Sequence, residues 1–214
     1  MIDLGTINLI GKEVTLRPLT SNDAAALHEA SSGSREKYRY NPVPNGLIEA
    51  KEYVEKALIQ KMNGFRYPFV VIWKGIISGT TSYSDFQPWT WPEGSENQRT
   101  DRPDVLEIGY TWISSSAQRT RCNTEAKYLL ATYAFEELNV HRVSLRTDER
   151  NEASRKAIER IGACFEGIRR ADMPSVDGSV RNSAFYSILR SEWPTIKQRL
   201  ESKMAQQYSA DNVG

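Results

Sequence analysis

Apolar positions along the chain alternate between a spacing of two and a spacing of three to four, and the changes of period mark out the elements. Leu47 to Met62 places Tyr53, Val54, Ala57, Leu58 and Met62 on one helical face and closes on Asn63-Gly64. Phe69 to Trp73 and Ile76 to Tyr83 read as two strands around a tight turn at Lys74-Gly75. Val105 to Ile113 alternates cleanly across two faces and is the clearest strand. The helix Glu125 to Leu138 buries Ala126, Leu129, Leu130, Tyr133, Ala134 and Leu138, with Glu125, Lys127, Glu136 and Glu137 outside that stripe. A compact strand, Arg142 to Thr147, precedes a short helix whose stripe is Ala153, Ala157, Ile158 and Ile161, stopped by Gly162 as a left-handed cap.

The flanks follow the same logic. Val14 to Leu19 predicts a short strand, and Thr20-Ser21-Asn22-Asp23 caps an alanine-rich helix from Ala24 to Ala30. Phe165 to Met173 and Ala184 to Leu189 pair antiparallel across Asp177-Gly178, and Ser191 to Met204 forms a terminal helix with Pro194 in its first turn. Two polar stretches interrupt the pattern, Ser31 to Gly46 and Asp85 to Pro103. A loop as long as the second is either functional or disordered. With 214 residues and no internal repeat, these elements make one α/β domain over residues 8–204, followed by a disordered tail, 205–214.

Composition narrows the chemistry mainly by exclusion. Lys plus Arg total 28 against 27 for Asp plus Glu, so no global field argues for nucleic acid or an anionic membrane surface. Two cysteines and two histidines offer neither a disulfide framework nor metal-ligand spacing, and a reducing compartment is the default. The start of the chain lacks a basic segment with a following apolar run, and no stretch reaches the ~20 apolar residues of a membrane span. The expectation is a cytoplasmic protein with no metal.

Two helix openings carry the remaining signal: Gln118-Arg119-Thr120-Arg121-Cys122-Asn123-Thr124, and Asn151-Glu152-Ala153-Ser154. The order strand, loop, helix, strand, loop, helix brings both to one edge of a sheet. Unpaired amides and the macrodipole make helix N-termini collect anions, so the first suits a pyrophosphate, while an amide-rich arm could run toward the second. The combination points to coenzyme A.

These pieces, with Leu16-Arg17-Pro18-Leu19, Glu107-Ile108-Gly109-Tyr110 and Ile161-Gly162-Ala163-x-Phe165-Glu166-Gly167, resemble the GNAT superfamily of N-acetyltransferases and, more narrowly, its RimJ/RimL-type branch. The resemblance implies a mixed, strongly twisted central sheet of about six or seven strands, helices on both faces, and a V-shaped splay between the two central strands that holds acetyl-CoA. It assigns coenzyme contacts to Ile113, Gln118, Arg119, Thr120, Arg121, Cys122, Asn123, Thr124, Asn151, Ser154 and Arg155. The family's loop carries glycine where this chain has Arg121 and Asn123; Asn tolerates left-handed geometry better than Arg does.

The resemblance also implies roles. Glu107 takes a proton from the attacking amine, directly or through water; Asn151 positions the pantetheine arm; and Ser154 donates to the departing thiolate, because the slot of the family's tyrosine acid holds Ile158. Each has a plainer reading. Glu107 could be a strand carboxylate paired with a neighbouring cation, Asn151 an N-cap, and Arg17 and Arg146 salt-bridge partners. Tyr83, Tyr110 and Tyr186 rank as core before pocket, and His141, without an acidic partner in the sequence, as surface or cap.

The expected function is transfer of an acetyl group from acetyl-CoA to a primary amine, a protein N-terminus or a small molecule, by direct attack in a ternary complex of a monomer or homodimer. Ser31 to Gly46 and Asp85 to Pro103 are expected to build the acceptor side, where an open groove favours peptides and a closed acidic pocket favours polycations. The alternative is a non-catalytic acyl-CoA sensor or interaction module on the same fold.

Overall fold

The structure, a computed structural model, describes residues 4–33, 35–98 and 101–211. Eight strands form one open sheet: β1 (Leu9–Ile10), β2 (Val14–Pro18), β3 (Arg66–Trp73), β4 (Ile76–Gln87), β5 (Val105–Ile113), β6 (Arg142–Asp148), β7 (Cys164–Pro174) and β8 (Val180–Leu189). Their order is β1-β2-β3-β4-β5-β6-β8-β7, and every neighbouring pair is antiparallel except β5 with β6. The strand count exceeds the expected six or seven partly because β1, only two residues long, is too short to leave a periodic signal.

The side-chain period of two sends alternate residues of each strand to opposite cores. Phe69 and Val71 of β3 join one apolar cluster, Val70 the other. Helices α1 (Ala24–Ser31) and α2 (Leu47–Met62) cover the face holding Val70. The opposite face is covered by α3 (Cys122–Thr132), α4 (Glu152–Arg160) and α5 (Trp193–Asp211). The terminal helix therefore continues seven residues past the Met204 expected from the sequence. The rest of the expected tail, 212–214, lies outside the described residues.

Two stretches depart from their predicted pattern. The helix expected from Glu125 begins at Cys122 and passes into a π-helical turn at Tyr133–Glu137. Both Glu125 and Lys127, expected outside the apolar stripe, are buried. Glu125 Oε1 accepts the backbone amides of Lys12 and Glu13, clamping the β1–β2 turn onto α3.

In β5 the alternation is broken. Ser82 faces Gly109 and Thr80 faces Trp112, so two residues of β5, Tyr110 and Thr111, oppose one of β4, Thr81. The extra residue is accommodated at Tyr110, whose φ is +51°. Leu106 and Ile108 face α3 before this bulge, Ile113 faces it afterwards, and Trp112 packs into the α1–α2 cluster. No helix of the described residues is long and apolar enough to cross a membrane.

Opposite the bulge, Gly79 has φ +146°, and a Cβ there would lie 2.1 Å from the Trp112 carbonyl oxygen. Gly79→Ala is expected to cost roughly 2–4 kcal/mol through overpacking and left-handed strain. Urea unfolding monitored by tryptophan fluorescence checks this; an unchanged midpoint would contradict the close approach.

Candidate active site

Parallel pairing of β5 with β6 is limited to Val105 with Arg142, Leu106 with Val143 and Glu107 with Ser144. Beyond these pairs β5 is bonded only to β4 and β6 only to β8, so the two strands part. The gap opens into a cleft of about 820 Å³ bordered by Glu107 to Ile113 on one side and Leu145 to Thr147 on the other. Both helix openings singled out in the sequence border it, through Gln118, Arg119, Thr120 and Asn123 at the start of α3 and Asn151 and Ser154 at the start of α4.

The α3 opening is held from within. Gln118 Nε2 donates to the Ile113 carbonyl at 3.0 Å. Thr120 Oγ1 donates to the Ala117 carbonyl at 2.7 Å and accepts the Cys122 amide at 3.1 Å. The left-handed residue is Arg119, with φ +62°. Arg121, in a glycine slot of the family pattern, has φ −70°, and Asn123 lies inside the helix, so neither position needs glycine for its backbone angles. The amides of Asn123 and Thr124 stand in the first turn, where a helix offers no acceptor.

Five of the expected contact residues separate by direction. Arg121 turns away from the cleft and its guanidinium donates to Glu13 Oε1 at 2.7 Å, an ion pair that helps hold the Glu13 carboxyl below its ordinary range against the opposing effect of burial. Cys122 and Thr124 are buried off the cleft, and burial pushes the Cys122 thiol up to about 12. Arg155 donates to the Tyr186 hydroxyl at 3.0 Å and lies over the Phe165 ring, also outside the cleft. Ile113, the fifth, borders the cleft. In α4, Asn151 Oδ1 accepts the Ser154 amide at 3.1 Å, as an N-cap. Its Nδ2, like the Ser154 hydroxyl, makes no hydrogen bond among the described residues and remains available to a ligand.

On the opposite face of the sheet stands Glu107, 4% exposed, with Oε2 in an ion pair with Arg146 Nε at 2.9 Å. A Cβ on Gly109 would lie 2.6 Å from Glu107 Oε1, which explains Glu107-Ile108-Gly109: the glycine is the space the carboxylate occupies. Burial raises the Glu107 carboxyl to about 7, outweighing the Arg146 charge that pulls it down. Lys127, 7% exposed, reaches from α3 to donate to Thr111 Oγ1 at 2.6 Å, and burial lowers its ammonium to about 7. Sequence reasoning missed Lys127 because it reads as a solvated helix position; its spacing of four from Asn123, one helical turn, was the available signal.

Beneath the bulge, Thr80 Oγ1 donates to the Tyr110 carbonyl at 3.3 Å and meets the Tyr53 hydroxyl at 2.7 Å. Buried Arg66 donates to that hydroxyl at 2.9 Å and lies 4.0 Å from the Tyr110 ring centroid. Tyr110 thus faces the cleft, while Tyr83 and Tyr186 are core.

The far wall is formed by Tyr40, Asn41 and Pro42 from the polar stretch 31–46 and by Met173 to Val176 of the β7–β8 hairpin. Of the other stretch expected there, 85–103, no described residue borders the cleft. It folds back on Asp104, which accepts from Trp89 N at 2.7 Å and Trp91 Nε1 at 2.9 Å, and Trp89 stacks on His141. His141 does have an acidic partner, Asp104 at 3.6 Å, supplied by the fold rather than by sequence proximity. Arg17 pairs with Asp23, as its plainer reading holds.

A family model described as an acetyltransferase (GNAT) domain matches residues 13–163. The chain belongs to the GNAT acetyltransferases. Among curated proteins it is 42% identical over 87 residues to "Putative ribosomal N-acetyltransferase YdaF" of Bacillus subtilis, a match spanning 41% of this chain and 46% of that protein, under half of its length. Among solved structures, a GCN5-related N-acetyltransferase from Brucella melitensis is 28% identical with TM-score 0.77, over 92% of this chain and 84% of the other. Mycobacterium smegmatis RimJ, solved in complex with CoA-disulfide, shares the fold at 21% identity and TM-score 0.72, over 95% of this chain and 94% of its own. The mixed sheet with helices on both faces is the GNAT fold.

The buried amine of this GNAT chain gives a test of site electrostatics. Lys127 titrates near 7 when folded against an ordinary 10.5, so burying it is costly below pH 7 and the cost fades as pH rises toward 10.5. Lys127→Met is expected to raise Tm relative to the parent most below pH 7, with the gap narrowing toward pH 10. Thermal unfolding across that range checks it; a pH-independent gap would mean that Lys127 is solvated.

Proposed function

We propose that this protein is an acetyl-CoA-dependent N-acetyltransferase acting on a primary amine by direct attack in a ternary complex. The observation that carries the reading is the cleft at the parted β5 and β6, with two helix N-termini on one face of the sheet and a buried carboxylate on the other. The residues fit the coenzyme. Arg119 makes no ion pair among the described residues and stands at the cleft beside the α3 amides, a site suited to a pyrophosphate. Asn151 Nδ2 suits an amide carbonyl of the pantetheine arm, and Ala157, Ile158 and Ile161 give that arm an apolar wall. Bound there, the coenzyme supplies an acyl group activated as a thioester.

The chain's own residues then divide the proton work. Glu107, deprotonated above about pH 7, accepts a proton from the amine, which attacks only when neutral. Ser154, at the cleft border, is the hydroxyl that donates to the leaving sulfur in this reading, since Ile158 is apolar where the family resemblance implies a tyrosine acid. Arg146 holds one oxygen of Glu107, and Oε1 makes no hydrogen bond among the described residues.

That same ion pair favours a second reading, in which Glu107 is structural and the chain is a non-catalytic acyl-CoA sensor. Calorimetric titration with acetyl-CoA separates the coenzyme site from the chemistry. Micromolar binding is expected, weakened about tenfold or more in the Asn151→Ala, Ser154→Ala double variant. The lost cap costs only about 1 kcal/mol, so the fold survives. No binding would sink both readings.

The base is tested by pH. Protonation below about 7 removes the acceptor for the amine proton, so turnover is expected to fall as pH drops through 7. Glu107→Gln is expected to lower kcat about 100-fold or more and to abolish that limb. Coenzyme binding with an unchanged pH–rate profile in Glu107→Gln would move the assignment away from this residue.

A further inference from the structure

The acceptor face of the cleft has a charge pattern that the reaction does not explain. Strand parity puts Glu107, Arg146 and Arg181 on the same face: Arg146 is the register partner of Phe185, and Arg181 lies four residues from Phe185 along β8. With the neighbouring stretch 31–46, this side of the cleft presents four cations, Lys37, Arg39, Arg146 and Arg181, against two carboxylates, Glu36 and Glu107. Asp148 and Asp172 act on Arg181 from behind this wall, but the groups that border the cleft directly are mostly cationic and oppose close contact with a polycationic amine.

Arg181 is the distinctive member. Its Nε donates to Ser183 Oγ at 2.8 Å, which fixes the direction of the guanidinium, while both terminal nitrogens are without a partner among the described residues. The carboxylates whose charges reach it each have another cation: Asp148 has Arg150 at 2.7 Å, Glu107 has Arg146 at 2.9 Å, and Asp172 has Arg169 at 3.2 Å through Oδ1 and Arg146 at 4.0 Å from Oδ2. Burial lowers the Arg181 pKa, with the Arg146 charge, against the opposing pull of Asp148, Asp172 and Glu107. An arginine that borders a cleft, is bonded at Nε and has both terminal nitrogens unbonded among the described residues can donate paired hydrogen bonds to a carboxylate.

We propose that the acceptor is a peptide N-terminus followed closely by an acidic side chain, and that Arg181 is the specificity residue that takes that carboxylate while Glu107 faces the amine. This rests on the N-acetyltransferase reading. The far wall is built by Tyr40 to Pro42 and Met173 to Val176, bridged by Arg150, which lies over the Tyr40 ring and donates to Ser175 Oγ at 2.9 Å. The like charge of Arg146, committed to Glu107, leaves Arg181 as the unfilled anion site.

The test uses the full chain, acetyl-CoA, and synthetic peptides identical except at residues two and three, carrying Asp-Glu, Ala-Ala or Lys-Lys, with free aspartate and a polyamine as further acceptors and release of free thiol as the readout. The acidic peptide is expected to exceed the neutral one by about tenfold in kcat/KM, mainly through KM, with the basic peptide and the polyamine lowest. Arg181→Gln should bring the acidic-to-neutral ratio close to one, and Arg181→Lys should keep part of it. Arg181→Glu should invert the order toward the basic peptide, a gain that a misfolded variant cannot produce. Equal rates on the three peptides, a preference for free aspartate or the polyamine, or an acidic-to-neutral ratio unmoved by Arg181→Gln would each overturn the proposal while leaving the enzyme an N-acetyltransferase. Failure of every acceptor would overturn both.

Discussion

Parallel pairing between β5 and β6 ends after three residue pairs, and the rest of the site depends on that termination. Continued pairing would seal the sheet and join its two faces only through packed side chains. Because it stops at Glu107 and Ser144, two strand edges are directed into a shared opening, and elements from both faces reach it. The bulge at Tyr110 acts on the same strand: by changing parity it turns Thr111 and Ile113 toward α3 and Trp112 toward α1 and α2. Gly79 and Gly109 keep the strand in that shape for different reasons, one yielding to a backbone carbonyl and the other to a carboxylate.

The opening also sets the electrostatics. Glu107 and Lys127 are buried by elements on opposite faces, and in each case lost hydration favours the neutral form. A carboxylate and an amine that both titrate near neutrality are costly to stability and useful to proton transfer, the usual compromise at a functional site. Arg146 moderates the cost at Glu107 without removing it, since its Coulomb attraction is smaller than the burial effect.

Where the chain departs from its family's glycine-rich loop, the substitution is absorbed by neighbours. Arg121 has an ordinary helical backbone and an ion pair with Glu13, and Glu125 ties the β1–β2 turn to the same helix start. The loop is braced from the sheet edge by the Glu13 carboxylate and by the backbone amides of Lys12 and Glu13, more than a hundred positions away in sequence, which no local motif could reveal. Trp89, Trp91 and Asp104 tell a similar story on the opposite outcome: a long polar loop that suggested a binding wall is folded back onto His141.

The sequence by itself determined the order of elements and the two helix openings at one sheet edge, because helix and strand periods, caps and turn residues are local properties; Glu107, Asn151 and Ser154 were singled out by the family resemblance. It was blind to side-chain direction where backbone geometry leaves the regular repeat: the Tyr110 bulge, the early start of α3 and the inward turn of Lys127. Tertiary structure alone decided which of Gln118 to Thr124 face the cleft, that Glu107 is paired with Arg146, and that the two terminal nitrogens of Arg181 have no partner among the described residues. The physical reason is common to all three. Burial and pairing of a charge depend on what the rest of the chain brings within a few ångströms, and that proximity is written in the packing of both faces of the sheet rather than in any one segment.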